Sequence, residues 1–103
     1  MQKENVREEA RALDIRGAFV RRTNLSGASL RGANLTGADA TNASFRDADF
    51  EGALLKGTIL RGADLSGAKN LTIEQLSSAI LDDRTILPSY IDRARIRSVI
   101  ASE

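Results

Sequence analysis

A five-residue repeat constrains the fold of this chain more than any other feature of its sequence. An apolar residue recurs at every fifth position: Ile15, Val20, Leu25, Leu30, Leu35, Ala40, Phe45, Phe50, Leu55, Leu60 and Leu65. Ala stands two residues before most of these centres, and all eight glycines stand two residues after one. A period of five suits neither a straight strand nor a helix, because successive centres would lie on opposite strand faces or about 140° apart on a helix. The chain must therefore turn at every repeat.

Turns of about 90° would point every centre inward, and Gly would supply the positive φ that a type II turn requires. Asn42 and Asp47 replace Gly at two corners and tolerate this conformation, whereas Arg22 tolerates it poorly and predicts an irregular corner. Four repeats would close a square turn of the chain, and successive turns would stack about 4.8 Å apart through parallel backbone hydrogen bonds. Just under three such turns are expected, and the bias of parallel crossovers favours a right-handed path.

The pattern resembles the pentapeptide-repeat family, whose unit is a small residue, Asp/Asn/Ser, Leu/Phe, a polar residue and Gly. Residues 33–37 (Ala-Asn-Leu-Thr-Gly) and 63–67 (Ala-Asp-Leu-Ser-Gly) carry the resemblance most clearly. It implies an all-β fold, a right-handed quadrilateral parallel β-helix with short flanking α-helices. In this family a few members are DNA mimics that protect DNA gyrase, others occur beside unrelated domains, and many have no known function. The fold is therefore expected to transfer to this chain, but the function is not.

The chain is expected to form one domain, residues 1–103, with a cover at each end of the repeats. Residues 1–12 would be an N-terminal helical cap containing a short helix over 5–12. Residues 13–70 would be the pentapeptide-repeat β-helix. Residues 71–103 would be a C-terminal helical cap and tail.

Within the C-terminal part, Thr72 and Gln75 match a capping box and predict a helix over 73–81. Pro88 then breaks the chain. The tail from Ser89 onward is compatible with a helix to about residue 101 or with an extended segment, because its arginines alternate with less polar residues.

The composition gives little support to catalysis. The chain has no Cys and no His, so it lacks the commonest general base and the commonest metal ligands. Asp47, Asp49 and Glu51 form one carboxylate cluster, but stacking of residues one turn apart would pair Glu51 with Arg31 and Asp49 with Lys69. We therefore expect no catalytic residues, no metal site and no cofactor.

Outward residues differ in charge between the four sides of the square. The first side has the centres Ile15, Leu35 and Leu55, and the second has Val20, Ala40 and Leu60. Together these sides carry more cations than acids, namely Arg16, Arg21, Arg22, Lys56 and Arg61 against Asp14 and Asp39. The other two sides carry more acids than cations, namely Asp47, Asp49, Glu51 and Asp64 against Arg31, Arg46 and Lys69.

Apolar residues also point outward on the first two sides, at positions where the family pattern has Asp, Asn or Ser. The candidate interaction surface, here called the basic–apolar surface, consists of Phe19, Arg21, Leu54, Lys56, Ile59 and Arg61. Clustered outward apolar groups usually indicate a covered surface. The cover could be the chain's own tail (residues 82–103), a second copy in a homodimer, or a foreign protein, and the tail is the favoured choice.

These observations predict a non-catalytic protein-interaction or scaffold module with an unknown protein partner. A cytoplasmic location is expected, because no segment approaches the ~20 apolar residues of a membrane span and the start lacks an apolar signal core. A DNA-mimicking gyrase-interacting or topoisomerase-interacting protein is the alternative. It is disfavoured by a net charge of +1 and by a solenoid only roughly 15 Å long.

A further alternative is weak binding to an anionic surface through the basic sides and Arg93, Arg95 and Arg97. Specific nucleic-acid recognition is not expected, because Tyr90 is the only aromatic residue of the tail that could stack on a base.

Overall fold

The computed structural model describes residues 12–97, and the repeats in it form a ladder of parallel backbone bridges. On the first side, Asp14 pairs with Asn34, and Asn34 pairs with Leu54. On the second side, Phe19 pairs with Asp39, and Asp39 pairs with Ile59. The third and fourth sides stack in the same way through Asn24, Ser44 and Asp64 and through Ser29, Asp49 and Lys69. Each centre therefore lies above the centre four repeats later, which is the register that the five-residue period predicts.

The β structure consists of single bridges, because the chain turns again before a longer strand can form. Within residues 12–97 every β pairing is an isolated bridge. Each corner of the repeats is a four-residue β-turn, such as the one closed by Ala38, whose N–H donates to the carbonyl of Leu35 at 2.9 Å. Gly37, the third residue of this turn, has φ 69°, the conformation that favours glycine.

The corner at Arg22 forms the same kind of β-turn as the other repeat corners, so the prediction of an irregular corner is wrong. Its closing hydrogen bond, from Thr23 N–H to the carbonyl of Val20, is the longest among these corners at 3.3 Å. Arg22 has φ 57°, and its N–H donates to the carbonyl of Thr41 at 2.9 Å, as Gly27 donates to Arg46 at 2.8 Å. Hydrogen bonds to the next layer of the solenoid hold the Arg22 backbone in the left-handed conformation, although the Arg side chain disfavours it. Asn42 and Asp47 adopt it too, with φ 61° and 63°.

The inward centres form the core. Leu35, Phe45, Leu60 and Leu65 are fully buried, and the Phe45 and Phe50 rings pack with centroids 5.4 Å apart. These two rings belong to the same turn as the small centre Ala40, which is also fully buried. Three centres of the first turn, Ile15, Val20 and Leu25, are only partly buried. The helix predicted over 5–12 falls on residues that, apart from Ala12, lie outside the described range.

The C-terminal end of the repeats is closed by α1 (Ile73–Ser78), which begins with the predicted capping box. Gln75 N–H donates to Thr72 Oγ1 at 3.0 Å, and Thr72 N–H donates to Gln75 Oε1 at 2.8 Å. The Gln75 amide also donates to the carbonyls of Phe50 and Ala53, at 2.9 and 3.0 Å, which fixes the helix beneath the last turn.

The helix ends at Ser78 rather than at 81, because Ile80 joins the β ladder instead. Ile80 N–H donates to the carbonyl of Thr58 at 2.8 Å and its carbonyl accepts from Leu60 N–H at 2.7 Å. Ile86 then pairs with Asp64 on the third side. The segment after α1 thus extends the second and third sides by one further layer.

The tail contains one short 3-10 helix, Arg93–Arg95, capped by Asp92, and no longer helix up to residue 97. Tyr90 Oη donates to the carbonyl of Ala68 at 2.6 Å, and the Arg93 guanidinium donates to the carbonyls of Asp82 and Thr85. The Tyr90 bond holds the tail against the repeats, and the Arg93 bonds hold the end of the tail against its first residues. In residues 12–97 no helix is long and apolar enough to cross a membrane.

Candidate functional site

The side chain of the residue before each centre points outward, and in most repeats it accepts a hydrogen bond from the backbone N–H two residues later. Asn34 Oδ1 accepts from Thr36 N–H at 3.0 Å, and Asp64 Oδ1 accepts from Ser66 N–H at 2.9 Å. Asp14, Asn24, Asp39 and Asp49 accept in the same way from the residue two positions later. A short side chain ending in oxygen can reach this N–H, which explains the preference for Asp and Asn there. We call this site the outward acceptor position.

Phe19, Leu54 and Ile59 occupy outward acceptor positions without offering an acceptor. As a result, the backbone N–H groups of Arg21, Lys56 and Arg61 donate to no acceptor within residues 12–97. A hydrogen bond of this kind is worth about 1 kcal/mol net. Sequence reasoning located the three apolar side chains but missed the three unpaired donors, although the frequent Asp and Asn at these positions were a signal that could have found them. In residues 12–97 the corresponding N–H groups after Ser29 and Ser44 have no acceptor either.

The apolar members of the basic–apolar surface differ in exposure. Phe19 is 73% exposed and Leu54 is 53% exposed, whereas Ile59 is half-buried because Ile80 pairs with it in the next layer. The favoured prediction, that the tail covers this surface, is wrong for residues 82–97. The tail is held instead against the last layer, where Tyr90 contacts Ala68 and Arg97 N–H donates to Ser77 Oγ at 2.9 Å.

Three ion pairs on the solenoid follow one rule, in which a cation just after a centre reaches the acid just before the next centre of the same side, whereas Arg16 binds Asp14 beside its own centre. Arg31 binds Asp49 at 3.0 Å and Arg46 binds Asp64 at 3.3 Å. Arg21 binds Asp39 at 2.9 Å, and its guanidinium also lies over the Phe19 ring, 5.0 Å from the centroid. Exposed pairs of this kind add little stability each, but they neutralise the charges that they join.

The rule leaves Arg61 and Lys56 without acids. The position that would hold the partner of Arg61 is occupied by Ile80, and the layer after Lys56 is α1 rather than another repeat. Neither residue forms an ion pair within the described range, and the same holds for Arg22 at its corner. The unpaired charges of the repeats on the first two sides are therefore all positive.

In the carboxylate cluster of Asp47, Asp49 and Glu51, the Asp49 oxygens accept hydrogen bonds from neighbouring groups. Asp49 accepts from the Asn70 amide at 2.9 Å, from Glu51 N–H at 3.1 Å and from the Arg31 guanidinium. These hydrogen bonds, that of Asn70 first, lower the pKa of Asp49 to about 2. The predicted pairing of Glu51 with Arg31 is present at 3.9 Å, but the predicted ion pair of Asp49 with Lys69 is not, because Asn70 takes its place.

Asp39 is held in a similar way, since the Thr41 hydroxyl is the main cause of its lowered pKa. Carboxylates whose pKa lies below the usual range do not exchange protons near neutral pH, so they are poorly suited to general acid–base catalysis. Residues 12–97 contain no cluster of side chains that could hold a metal ion.

A shallow open groove of about 850 Å³ lies next to the basic–apolar surface. Its lining includes Leu54, Leu71, Gln75 and Tyr90. Tyr90 is 55% exposed, but its hydroxyl is bound to backbone groups of Ala68 and Leu71. The groove therefore extends the exposed apolar area around Leu54 toward the end of the solenoid.

Comparison with known proteins identifies the repeats. The model of the pentapeptide-repeat family matches eight copies, over residues 13–47 and 43–71. No curated protein sequence gives a significant match. Proteins of this family are generally non-enzymatic, and their functions are varied or unknown.

Three solved structures are similar to this chain. The pentapeptide-repeat protein Rfr23 from the cyanobacterium Cyanothece 51142 is 30% identical, with a TM-score of 0.65, over 74% of this chain and 51% of its own. HetL from Nostoc sp. strain PCC 7120, involved in heterocyst differentiation regulation, is 38% identical, with a TM-score of 0.54, over 71% of this chain and 36% of its own. A protein from the Arabidopsis thaliana thylakoid lumen is 33% identical, with a TM-score of 0.51, over 79% and 62%.

This chain thus spans less than two thirds of the length of each of these proteins. Because one of them comes from the thylakoid lumen, the cytoplasmic location stays a prediction. The repeats, their parallel stacking and the family match lead to one conclusion: the chain belongs to the pentapeptide-repeat family, whose members form right-handed β-helix solenoids.

Proposed function

We propose that this protein is a non-catalytic protein-interaction module and that the basic–apolar surface is its binding surface. The carrying observation is that Phe19 and Leu54 are exposed at positions where the repeat offers a hydrogen-bond acceptor. Each of them exposes apolar area and also leaves a backbone N–H unpaired. An Asn at either position could restore the hydrogen bond, so each apolar side chain gives up a backbone hydrogen bond and keeps much of its own apolar area in water, where a partner could cover it.

The surrounding structure suits binding because it is rigid. The outward side chains stand on a ladder of backbone hydrogen bonds of 2.7 to 3.0 Å on adjacent turns. The Arg21 guanidinium is held between the Phe19 ring and Asp39, so both side chains lose little freedom when a partner binds. Aromatic and Arg side chains are also the types most often found at the energetic centre of interfaces.

The same proposal includes a solenoid of just under three turns over residues 13–70 and a cytoplasmic location. The DNA-mimic alternative receives no support from the first two sides, because a mimic needs an acidic surface and the unpaired charges of the repeats on these sides are positive. The protein is accordingly expected not to inhibit DNA supercoiling by gyrase.

Affinity capture from an extract of the source organism tests the proposal. The full chain is compared with a surface variant, Leu54→Asn with Ile59→Asn, and with the control Arg46→Gln on the third side. We expect a partner that is retained by the wild type and the control and lost by the surface variant. A partner held equally by all three proteins would contradict the assignment of the surface.

A further inference from the structure

We propose that the basic–apolar surface recognises an acidic segment of another protein, whose carboxylates supply the acceptors missing at positions 54 and 59. This inference rests on the proposed function and specifies the chemistry of the partner. In most repeats the outward Asp or Asn accepts a hydrogen bond from the backbone N–H two residues later, as Asn34 accepts from Thr36 at 3.0 Å. After Leu54 and Ile59 the acceptor of this hydrogen bond would come from the partner.

Two residues of the surface each offer an anion two unpaired donors. The backbone N–H groups of Lys56 and Arg61 have no acceptor within residues 12–97, and their side chains have no ion pair there. A carboxylate has two oxygens and can accept from a backbone N–H and a charged side chain together, and such charge-assisted bonds are the strong ones. Lys56 and Arg61 are therefore the two proposed carboxylate contacts.

Arg46 shows what the same position looks like when its charge is already satisfied. Ser44 replaces the acceptor before it, and the Arg46 N–H donates to no acceptor in the described range. Its guanidinium, however, binds Asp64 at 3.3 Å. A cation with an internal acid has less to gain from an external one, so Arg46 serves as the internal reference for Lys56 and Arg61.

The apolar neighbours indicate a protein rather than a nucleic acid. Ile59 lies between Lys56 and Arg61 along the chain, and the exposed Leu54 precedes Lys56. Phe19 lies two layers away on the same side as Ile59, beyond Asp39. A phosphate backbone would need a continuous run of cations and would gain nothing from these side chains. A segment with two acidic residues flanking an apolar one matches both features.

Charge also argues against a second copy of this chain as the occupant. Within the repeats, Arg22, Lys56 and Arg61 are the unpaired charges of the first two sides, while Asp14 and Asp39 are bound to Arg16 and Arg21. An isologous contact would bring these cations toward their own copies, and the repeats offer no free acid on these two sides to offset them. The exposed acids Glu74 and Asp83 lie in the segment after the repeats. An acidic partner removes this repulsion.

The test selects phage-displayed random peptides on the immobilised full chain and measures the binding of an enriched peptide by fluorescence anisotropy. Enriched peptides are expected to carry acidic residues around an apolar one and to bind more weakly as ionic strength rises. Lys56→Gln with Arg61→Gln should weaken binding about tenfold or more, as expected for loss of charge-assisted bonds. Arg46→Gln should leave binding unchanged.

A second pair of variants separates acceptor supply from apolar contact. Leu54→Ala with Ile59→Ala removes only apolar area. Leu54→Asn with Ile59→Asn also introduces two side-chain oxygens that can accept hydrogen bonds from the backbone N–H groups of Lys56 and Arg61. The Asn pair should bind about fivefold more weakly than the Ala pair for each N–H that the partner used.

Equal weakening by the Ala and Asn pairs would overturn the carboxylate contacts while leaving the binding surface in place. Basic or neutral enriched peptides, duplex DNA binding that depends on the same residues, or a concentration-dependent dimer blocked by the same variants would also overturn the acidic partner. No enrichment, or peptides indifferent to every surface variant, would overturn the proposed function as well.

Discussion

Replacing Leu54 by Asn should leave the stability of the protein almost unchanged, although Leu is far more apolar than Asn. The Leu54 side chain is 53% exposed, so about half of its potential burial energy, or roughly 1 kcal/mol, is lost when it is removed. The new side chain can accept from Lys56 N–H as Asn34 accepts from Thr36, which returns about 1 kcal/mol. The two effects should cancel to within about 0.5 kcal/mol.

The matched control is Leu54→Ala, which loses the apolar contact and gains no acceptor. It should be less stable than Leu54→Asn by about 1 kcal/mol in urea unfolding, equivalent to a melting temperature lower by about 4–8 °C. Asn34→Ala, which removes a native acceptor, should show a loss of similar size. If Leu54→Asn is no more stable than Leu54→Ala, the unpaired N–H costs nothing and the acceptor argument fails.

Three other perturbations test the fold. Leu35→Asp should unfold the domain at room temperature, because an unpaired charge would enter a fully buried position; an unchanged melting temperature in circular dichroism would contradict this. Arg22→Gly should stabilise the protein by about 0.5–1 kcal/mol in urea unfolding, because relief of the left-handed strain outweighs the entropy that Gly loses; a destabilised variant would show that the corner is unstrained. Because the Asn70, Glu51 and Arg31 hydrogen bonds lower the pKa of Asp49 from 3.8 to about 2, its stabilisation is present above pH 3.8 and disappears as the pH falls toward 2. The drop in melting temperature over this pH range should therefore be smaller in Asp49→Asn, and an equal drop would exclude Asp49 as a contributor.

The repeat register was predictable because the period leaves only one way to close the square. Asp14, Asn34 and Leu54 stack as the spacing requires. Predictions from local sequence preferences were wrong where hydrogen bonds of the β ladder favoured a different conformation. The helical periodicity continued to residue 81, but Ile80 gained two ladder hydrogen bonds and ended α1 at Ser78. Arg22 adopted a conformation that its side chain disfavours for the same reason.

The members of the basic–apolar surface were predictable because outward positions follow from the period, but their exposure was not. It depends on the path of the tail, which is set by side chains that reach backbone carbonyls 8 to 22 residues earlier in the sequence. Tyr90 reaches the carbonyl of Ala68, and Arg93 reaches the carbonyls of Asp82 and Thr85. No local pattern specifies these contacts, so the favoured prediction of a tail over Leu54 failed for residues 82–97.

Amide hydrogen exchange by NMR tests the central claim most directly, because it measures the backbone donors themselves. In the isolated full chain, the N–H groups of Lys56 and Arg61 should exchange about fivefold faster than that of Thr36, which is bound to Asn34. Addition of an acidic peptide selected on the protein should slow exchange at Lys56 and Arg61 and leave Arg46 unchanged. Slow exchange at Lys56 and Arg61 without the peptide would contradict the claim that these N–H groups are unpaired in the free protein. No change in exchange when the peptide is added would contradict the claim that a partner's carboxylates bind them.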